Sequence, residues 1–450
     1  MAQSEPEMNA RIGNRKKQDG EMIPVFLKQT TPVSGLNSCY ARSSLRACFA
    51  LPPHPVLLPL QNMDFDLIIV GAGPVGLAVA RGLAQRSATR ALSVALIDQH
   101  GATPIDDPRT LALSHGSRML LEPLGWPAAT TPIKGIHVSQ RGHFGRTWID
   151  CRAYDLPALG YAVSYGALMR ALAERIENAA SLHRFTRTTA HAPIQETERV
   201  TLPIETEDGP RRLRARLLIH AAGSASAIAS VKGARSKGRD YPQSALLGFV
   251  RVETPRAYWA WERFTAEGPL ALLPISRVQP ADYAFVWCGD PNDTQRRMAC
   301  GADAARAELR AIFGGRMGCV ISIDRRAVYP LRLQRVEPRV QGRIVVIGNA
   351  AQTLHPVAGQ GLNLGVRDAC ALVDALSNEG ATPQALACFA RRRRLDRKIT
   401  VTLTDGLART FSDGRAERFA PVYGAALTML ECLPPIKGAL ARHMIFGQRR

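Results

Sequence analysis

Leu67-Ile68-Ile69-Val70-Gly71-Ala72-Gly73-Pro74-Val75-Gly76 is the stretch on which the reading of this chain turns. An unbroken apolar run of this length has the character of a buried parallel strand, and the glycines follow it directly. Leu77, Ala80, Leu83 and Ala84 then recur at helical spacing. Strand, glycine turn and helix in this order form a dinucleotide-binding unit: Gly71 permits the tight turn, Gly73 lets a pyrophosphate approach the backbone, and Gly76 lets the helix pack closely on the strand. The helix N-terminus, opening at Pro74, then faces the phosphates.

A lone glycine pattern is weak evidence, but a second strand, Val94-Ala95-Leu96-Ile97, ends in Asp98, twenty-two residues beyond Gly76. A carboxylate at that distance can bind ribose hydroxyls. The unit therefore predicts a dinucleotide, with NAD and FAD both open at this point.

The chain around this unit has 450 residues, 46% hydrophobic and 21% charged, enough for a sizeable core in one large or two intimate domains. Nine cysteines with no CxxC pair and no Cys/His cluster speak against a disulfide framework or a structural metal, and the expected metal content is none. Apolar stretches such as Leu246 to Val250 are strand-sized, far short of the ~20 residues of a spanning helix.

The formal charge of +20 suits nucleic acid, anionic lipid or a basic proteome, and no nucleic-acid reading module accompanies it. No nucleic-acid partner is expected. The densest basic run, Arg391 to Arg394 with Arg397 and Lys398, lies on a predicted helix and reads as a solvated face or a contact with anionic headgroups.

Residues 1–62 show no sustained period and are expected to be a disordered extension or a mis-assigned start, with Met63 as an alternative beginning. Arg42, Ser43, Ser44 and Arg46 suggest a transit peptide, which Glu5, Glu7, Asp19 and Glu21 weaken. The segment holds seven Lys/Arg against four Asp/Glu, so the rest of the chain keeps +17.

Far downstream, Gly342-Arg343-Ile344-Val345-Val346-Ile347 reads as another buried strand leading into Gly348-Asn349-Ala350-Ala351-Gln352-Thr353-Leu354-His355-Pro356 and then Val357-Ala358-Gly359-Gln360-Gly361-Leu362-Asn363. Small residues at Gly348, Ala350 and Ala351 allow backbone amides to approach an extended cofactor, and Asn349 can hydrogen-bond a ribityl or phosphate oxygen. A turn at Gly359-Gln360-Gly361 can bring main-chain amides against a cofactor ring and oppose negative charge on it.

Here the chain resembles the flavoprotein aromatic hydroxylases, whose second FAD motif reads GDAA…P…GQGxN. Within them it is most similar to the ubiquinone-biosynthesis hydroxylases, in the branch acting on 2-polyprenyl-6-methoxyphenol, whose loop also reads like GNAAQTLHP. The resemblance extends through Asp107-Pro108-Arg109-Thr110-Leu111-Ala112-Leu113-Ser114, through Trp261-Glu262-Arg263-Phe264-Thr265 to Pro274, and to Thr404-Asp405-Gly406-Leu407.

The resemblance implies an α/β chain: a Rossmann-like FAD-binding domain, an interleaved β-sheet substrate domain and a helical C-terminal region. The expected boundaries are 63–230 and 331–380 for the two parts of the FAD domain, 231–330 for the substrate domain and 381–450 for the helices. Pro356, Gly359 and Gln360 are expected beside the ring. Gly71, Gly73, Pro74, Gly76, Asp98, Arg109, Asn349, Pro356, Gly359, Gln360, Gly361, Leu362 and Asn363 form the expected cofactor-binding set.

The implied activity is FAD-dependent hydroxylation of a polyprenylated phenol through a flavin hydroperoxide, with O2 as co-substrate and NAD(P)H as reductant. A cytoplasmic protein is expected, in peripheral contact with the inner membrane through Leu427 to Arg450 and in a ubiquinone-biosynthesis complex. Two departures bear on this. Asn349 replaces the usual aspartate, as often in the named branch, and in Leu217-Leu218-Ile219-His220-Ala221-Ala222-Gly223-Ser224 Ala222 stands where an aspartate is expected. A flavin-dependent isoprenoid reductase and a non-catalytic flavoprotein subunit are the alternatives. Tyr258, Trp259, Trp261, Phe264, Phe285 and Trp287 are expected mainly as core packing of the substrate sheet. His355 has a local structural role as ready an explanation as an acid–base one.

Overall fold

The computed structural model describes residues 63–101, 107, 109–174, 176, 181–223, 235–275, 282–410 and 416–448. The expected extension 1–62, Pro108, Ser224, Arg449 and Arg450 lie outside the described residues.

The apolar run forms the strand Phe65–Val70, whose last four residues are buried. It runs parallel between Val94–Ile97 on one side and Gly209–His220 on the other. Ile344–Val346 pairs in parallel with the end of Gly209–His220, and Val200–Thr206 covers the rest of that edge in antiparallel fashion. Register brings Val70, His220 and Val346 level with one another. Three chain segments therefore leave the sheet at the same edge, the carboxyl ends of parallel strands, where open α/β sheets bind ligands.

Helices Pro74–Gln85 and Gln360–Glu379 pack together on this sheet around Leu67, Ile69, Leu77, Leu83, Val366 and Leu372, each at most 1% exposed. Close approach is possible because a Cβ at Gly82 would lie only 3.0 Å from the Val373 side chain.

An eight-stranded sheet lies beside the first. The order across it is Gln352–Thr353, Val320–Glu337, Arg235–Val252, Asp282–Gly289, Pro269–Pro274, Trp259–Phe264, Gly135–Gln140 and Arg146–Asp150. Three strands, Gly135–Gln140, Arg146–Asp150 and Gln352–Thr353, thus come from the parts of the chain expected to belong to the FAD domain, and Val320–Glu337 runs past the expected limit at 330. Trp259–Phe264 takes Gly135–Gln140 as a parallel neighbour, and Trp259 lies so close over Gly135 that a Cβ there would meet its ring at 2.4 Å. One face of this sheet buries Trp261, Phe285 and Trp287 against helix Ala302–Phe313. The other meets Leu354, Val357 and helix Pro383–Thr410. A third sheet of three short strands contains Thr110–Ser114, the strand that follows Arg109.

The arginine run is divided by its helix. Arg391, Arg392, Arg394 and Lys398 are exposed, whereas Arg393 is buried and Arg397 half-buried. Asp368, with no exposure, accepts from Arg393 Nε at 2.6 Å, Arg339 Nη1 at 3.2 Å and Gln352 Nε2 at 3.3 Å. Asp396 pairs with Arg393 at 2.6 Å and Arg367 at 3.3 Å. The expectation of one solvated basic face is corrected: a helix puts every third or fourth residue on one side, and two of these cations serve the core.

Helices Ala416–Cys432 and Pro434–Phe446 complete the described chain. Among the described residues no helix is long and apolar enough to cross a membrane.

Candidate functional site

The glycine loop leaves the first strand through Gly71, at φ +102°, a conformation that suits glycine. A Cβ there would strike the Ala222 backbone at 2.4 Å, and one at Gly76 would lie 1.9 Å from the Gly71 carbonyl. Gly73 differs: a Cβ there would meet nothing within 4 Å, so it borders open space at the helix N-terminus. Steric need fixes two of the glycines, and room for a ligand explains the third.

Asp98 lies where the second strand ends, and its carboxylate closes the loop. Ala72 N–H donates to its Oδ2 at 2.6 Å, while His100 N–H donates to Oδ1 at 2.8 Å. It thus joins the glycine loop as expected by position, with part of its acceptor capacity taken by the backbone.

The second loop is fitted into the first. Gly348 has φ +62°, and a Cβ there would lie 3.1 Å from Val75; at Gly365 it would lie 2.7 Å from the same side chain. Val75 is therefore wedged between the second loop and its helix. Asn349 is exposed at this junction, with its carbonyl accepting from Thr353 Oγ1 at 3.3 Å.

His355 is buried and its position is fixed on both sides. Val357 N–H donates to Nδ1 at 3.1 Å, which places the proton on Nε2, facing Gln243 Oε1 at 3.2 Å. Burial lowers its pKa to about 4, so the ring is neutral and ties the loop to the large sheet. The histidine is a structural clasp.

Beyond Pro356 the chain passes through two successive left-handed residues, Ala358 at φ 62° and Gly359 at φ 59°. A left-handed alanine is costly and is retained where surrounding structure holds it. The helix Gln360–Glu379 then starts with no side-chain cap, leaving its first amides available for a ligand. Gly361 borders open space, and Gln360 Oε1 is buried without a partner. Asn363 accepts from Ser114 N–H at 2.8 Å and donates to Ala112 O at 3.0 Å and Gly359 O at 2.7 Å.

That bond brings the strand behind Arg109 to the second loop. Arg109 is paired with Asp107 at 2.5 Å and lies over the Tyr165 ring at 4.5 Å. It lines a cleft with Thr110, Leu247, Phe249, Phe285 and Ala327, between the small sheet and the large one. Of the aromatics predicted as packing, Trp261, Phe264, Phe285 and Trp287 are buried, Trp259 is half-buried, and Tyr258 is 43% exposed.

The residues present fit an extended dinucleotide. Open space at Gly73 and Gly361, uncapped amides at the second helix and an exposed Asn349 lie along the carboxyl edge of one sheet. Sequence reasoning missed Val75, Gly365 and Gln243, whose roles depend on long-range packing. Ser114 and Ala112 lay inside a quoted motif, though nothing local marked them as partners of Asn363.

The model of the FAD binding domain matches residues 64–400. The chain is 30% identical over 356 residues to 3-demethoxyubiquinol 3-hydroxylase of Escherichia coli, covering 74% of this chain and 85% of that protein. It is also 30% identical over 402 residues to ubiquinone hydroxylase UbiL of Rhodospirillum rubrum, covering 84% and 89%. Among solved structures, p-nitrophenol 4-monooxygenase from Pseudomonas putida has a TM-score of 0.67 at 17% identity, covering 86% of this chain and 99% of that one, a likeness of fold.

Proposed function

The chain belongs to the FAD binding domain family, with the ubiquinone hydroxylases, and is an FAD-dependent aromatic-ring monooxygenase; from that premise we propose that its substrate is a polyprenylated phenol of the 2-polyprenyl-6-methoxyphenol type. The observation that carries this reading is the apolar cleft between Arg109 and the large sheet, lined by Leu247, Phe249 and Val286. Such a lining suits an uncharged ring with a lipid tail.

The Gly71–Gly76 amides would hold the pyrophosphate, Asp98 the ribose, and Asn349 a ribityl or phosphate oxygen. The amides at Gln360, Gly361 and Leu362 would oppose negative charge on the ring, with Pro356 and Gly359 against its face. Bound FAD supplies the redox chemistry, with NAD(P)H as reductant and O2 as the oxygen source. The protein's own work is to position the phenol and exclude water.

A lipid-tailed substrate has to be taken from a bilayer, and peripheral contact with the inner membrane belongs to this proposal. Exposed Val422, Met429 and Ile436 on the C-terminal helices, with Arg391, Arg392 and Arg394 elsewhere on the surface, support it. Association with other enzymes of the same biosynthesis follows from the same need.

Metabolite analysis of a strain lacking the gene, grown under 18O2 with and without complementation, tests the reading. Accumulation of a polyprenylated phenol and labelled oxygen in the restored product are expected. Normal ubiquinone in the deletion strain would overturn the pathway, and an unlabelled product would favour a reductase.

A further inference from the structure

Glu262 occupies the middle of Trp259–Phe264, a strand paired on both sides. Its Oε1 is buried and has no hydrogen-bond partner. A buried carboxyl oxygen without a partner is costly and calls for an explanation, a ligand group being one.

Cross-strand register shows what the side chain faces. Val138, Glu262, Ala271, Val286 and Leu247 stand directly opposite one another on successive strands, so they share one face of the sheet. All five are half-buried, and Leu247 and Val286 line the cleft beside Arg109. The row thus runs across the sheet from that cleft to Glu262 and Val138. Glu262 is its polar member. Two strand spacings, about 10 Å, separate Glu262 from Val286, and the sheet residue between them, Ala271, carries only a methyl group. A phenol seated at the cleft would lie along this row with its polar edge toward Glu262.

We propose that Glu262 is a catalytic residue that receives the ring hydroxyl of the phenol, first accepting its hydrogen bond and then its proton. The phenolic O–H bond breaks, an O–H bond forms on the carboxylate, and the electron pair left on the phenolic oxygen enriches the ring for attack. As a C–O bond forms, the ring regains aromaticity by losing the hydrogen of the attacked carbon as a proton to solvent, and the carboxyl returns its proton to the phenolic oxygen; NAD(P)H and O2 supply the redox balance, the second oxygen atom leaving as water. This assignment rests on the reading of the site as a phenol hydroxylase.

Burial raises the Glu262 pKa to about 7, so near neutrality the group exists as both acid and base. Cys288, from the same sheet, is a neutral thiol whose pKa burial pushes up further. The loop and helices on this face bring neutral His355, Tyr423, and Asp405 already engaged by Tyr241 and Arg409. None supplies a free charge to replace Glu262.

The test uses the FAD-loaded full chain with 2-methoxyphenol and 2-geranyl-6-methoxyphenol as probes, following binding by flavin fluorescence and turnover by product formation across pH 5.5–9. Wild-type turnover should rise through about pH 7, and E262Q should lose that inflection and about 100-fold in kcat while KM stays within about 3-fold. E262L should also weaken probe binding, and A271L, which adds bulk between the cleft and Glu262, should block it. Wild-type rate and pH profile in E262Q, or unchanged binding in A271L, would overturn the assignment while leaving the hydroxylase reading intact. Glu262-dependent binding without hydroxylation of either probe would retain Glu262 as the hydroxyl's receiver and sink the hydroxylase reading. Failure of the wild type to bind either probe would sink both.

Discussion

Asn363 accepts the backbone N–H of Ser114 across 2.8 Å, although 249 positions separate the two residues in the chain. The bond joins the strand behind Arg109 to the loop expected beside the flavin ring, and the same amide holds Ala112 and Gly359. Asn363→Ala should leave buried backbone groups unpaired at a cost of about 2–4 kcal/mol in all. Urea unfolding of the apoprotein measures that loss, and flavin fluorescence titration should show weaker FAD binding. Unchanged stability would mean that water replaces the amide.

Two glycines of the first loop should respond differently. Gly73→Ala places a methyl group in open space with an ordinary φ, so the apoprotein should keep its melting temperature while FAD affinity falls about tenfold or more. Gly76→Ala drives a Cβ into the Gly71 carbonyl and should prevent the loop from forming. Equal losses of fold in the two variants would contradict the assignment of Gly73 to the ligand.

Acid should loosen the second loop. His355 has a folded pKa of about 4 against about 6.5 when unfolded, so the unfolded chain binds the proton more readily. Its contribution is complete above pH 6.5 and is lost as pH falls through 4. His355→Gln should therefore compare more favourably with wild type at pH 4.5 than at pH 8 in thermal melts. A constant difference between the two proteins would show that His355 does not titrate over this range.

The buried cations depend on Asp368. Asp368→Asn removes the charge that Arg393 and Arg339 share, leaving both poorly compensated, and should cost about 3–5 kcal/mol. Arg391→Gln, at an exposed position on the same helix, should stay within about 0.5 kcal/mol. Chemical denaturation of both variants checks the contrast.

The sequence carried the glycine loop clearly, because each of its demands is local: Gly71 needs its φ, Gly76 its clearance, and Asp98 a position at the next strand end. The second loop was equally visible as a motif, yet its fit to Val75 depends on a sheet register that no short window contains. Strands 135–150 escaped the substrate sheet for a similar reason, since their partner lies more than a hundred residues on. The arginine run misled because composition counts charges without saying which side of a helix bears them. Ala222 was noticed as a missing acid; its backbone lies against Gly71, so this part of the chain still packs against the glycine loop without the carboxylate. Glu262 stood inside a quoted motif, and only the cross-strand register gave it an apolar row to face.

The wedge of Val75 between Gly348 and Gly365 also constrains how the protein comes into being. A ribosome delivers Val75 long before the two glycines that enclose it, and the strand preceding Gly348 must first find the edge left by Gly209–His220. A nascent chain therefore carries an open half-pocket from the synthesis of Val75 to that of Gly365. FAD can be enclosed only once residues 348–365 have been made, so a product truncated before them would retain the glycine loop without the second half of the binding site.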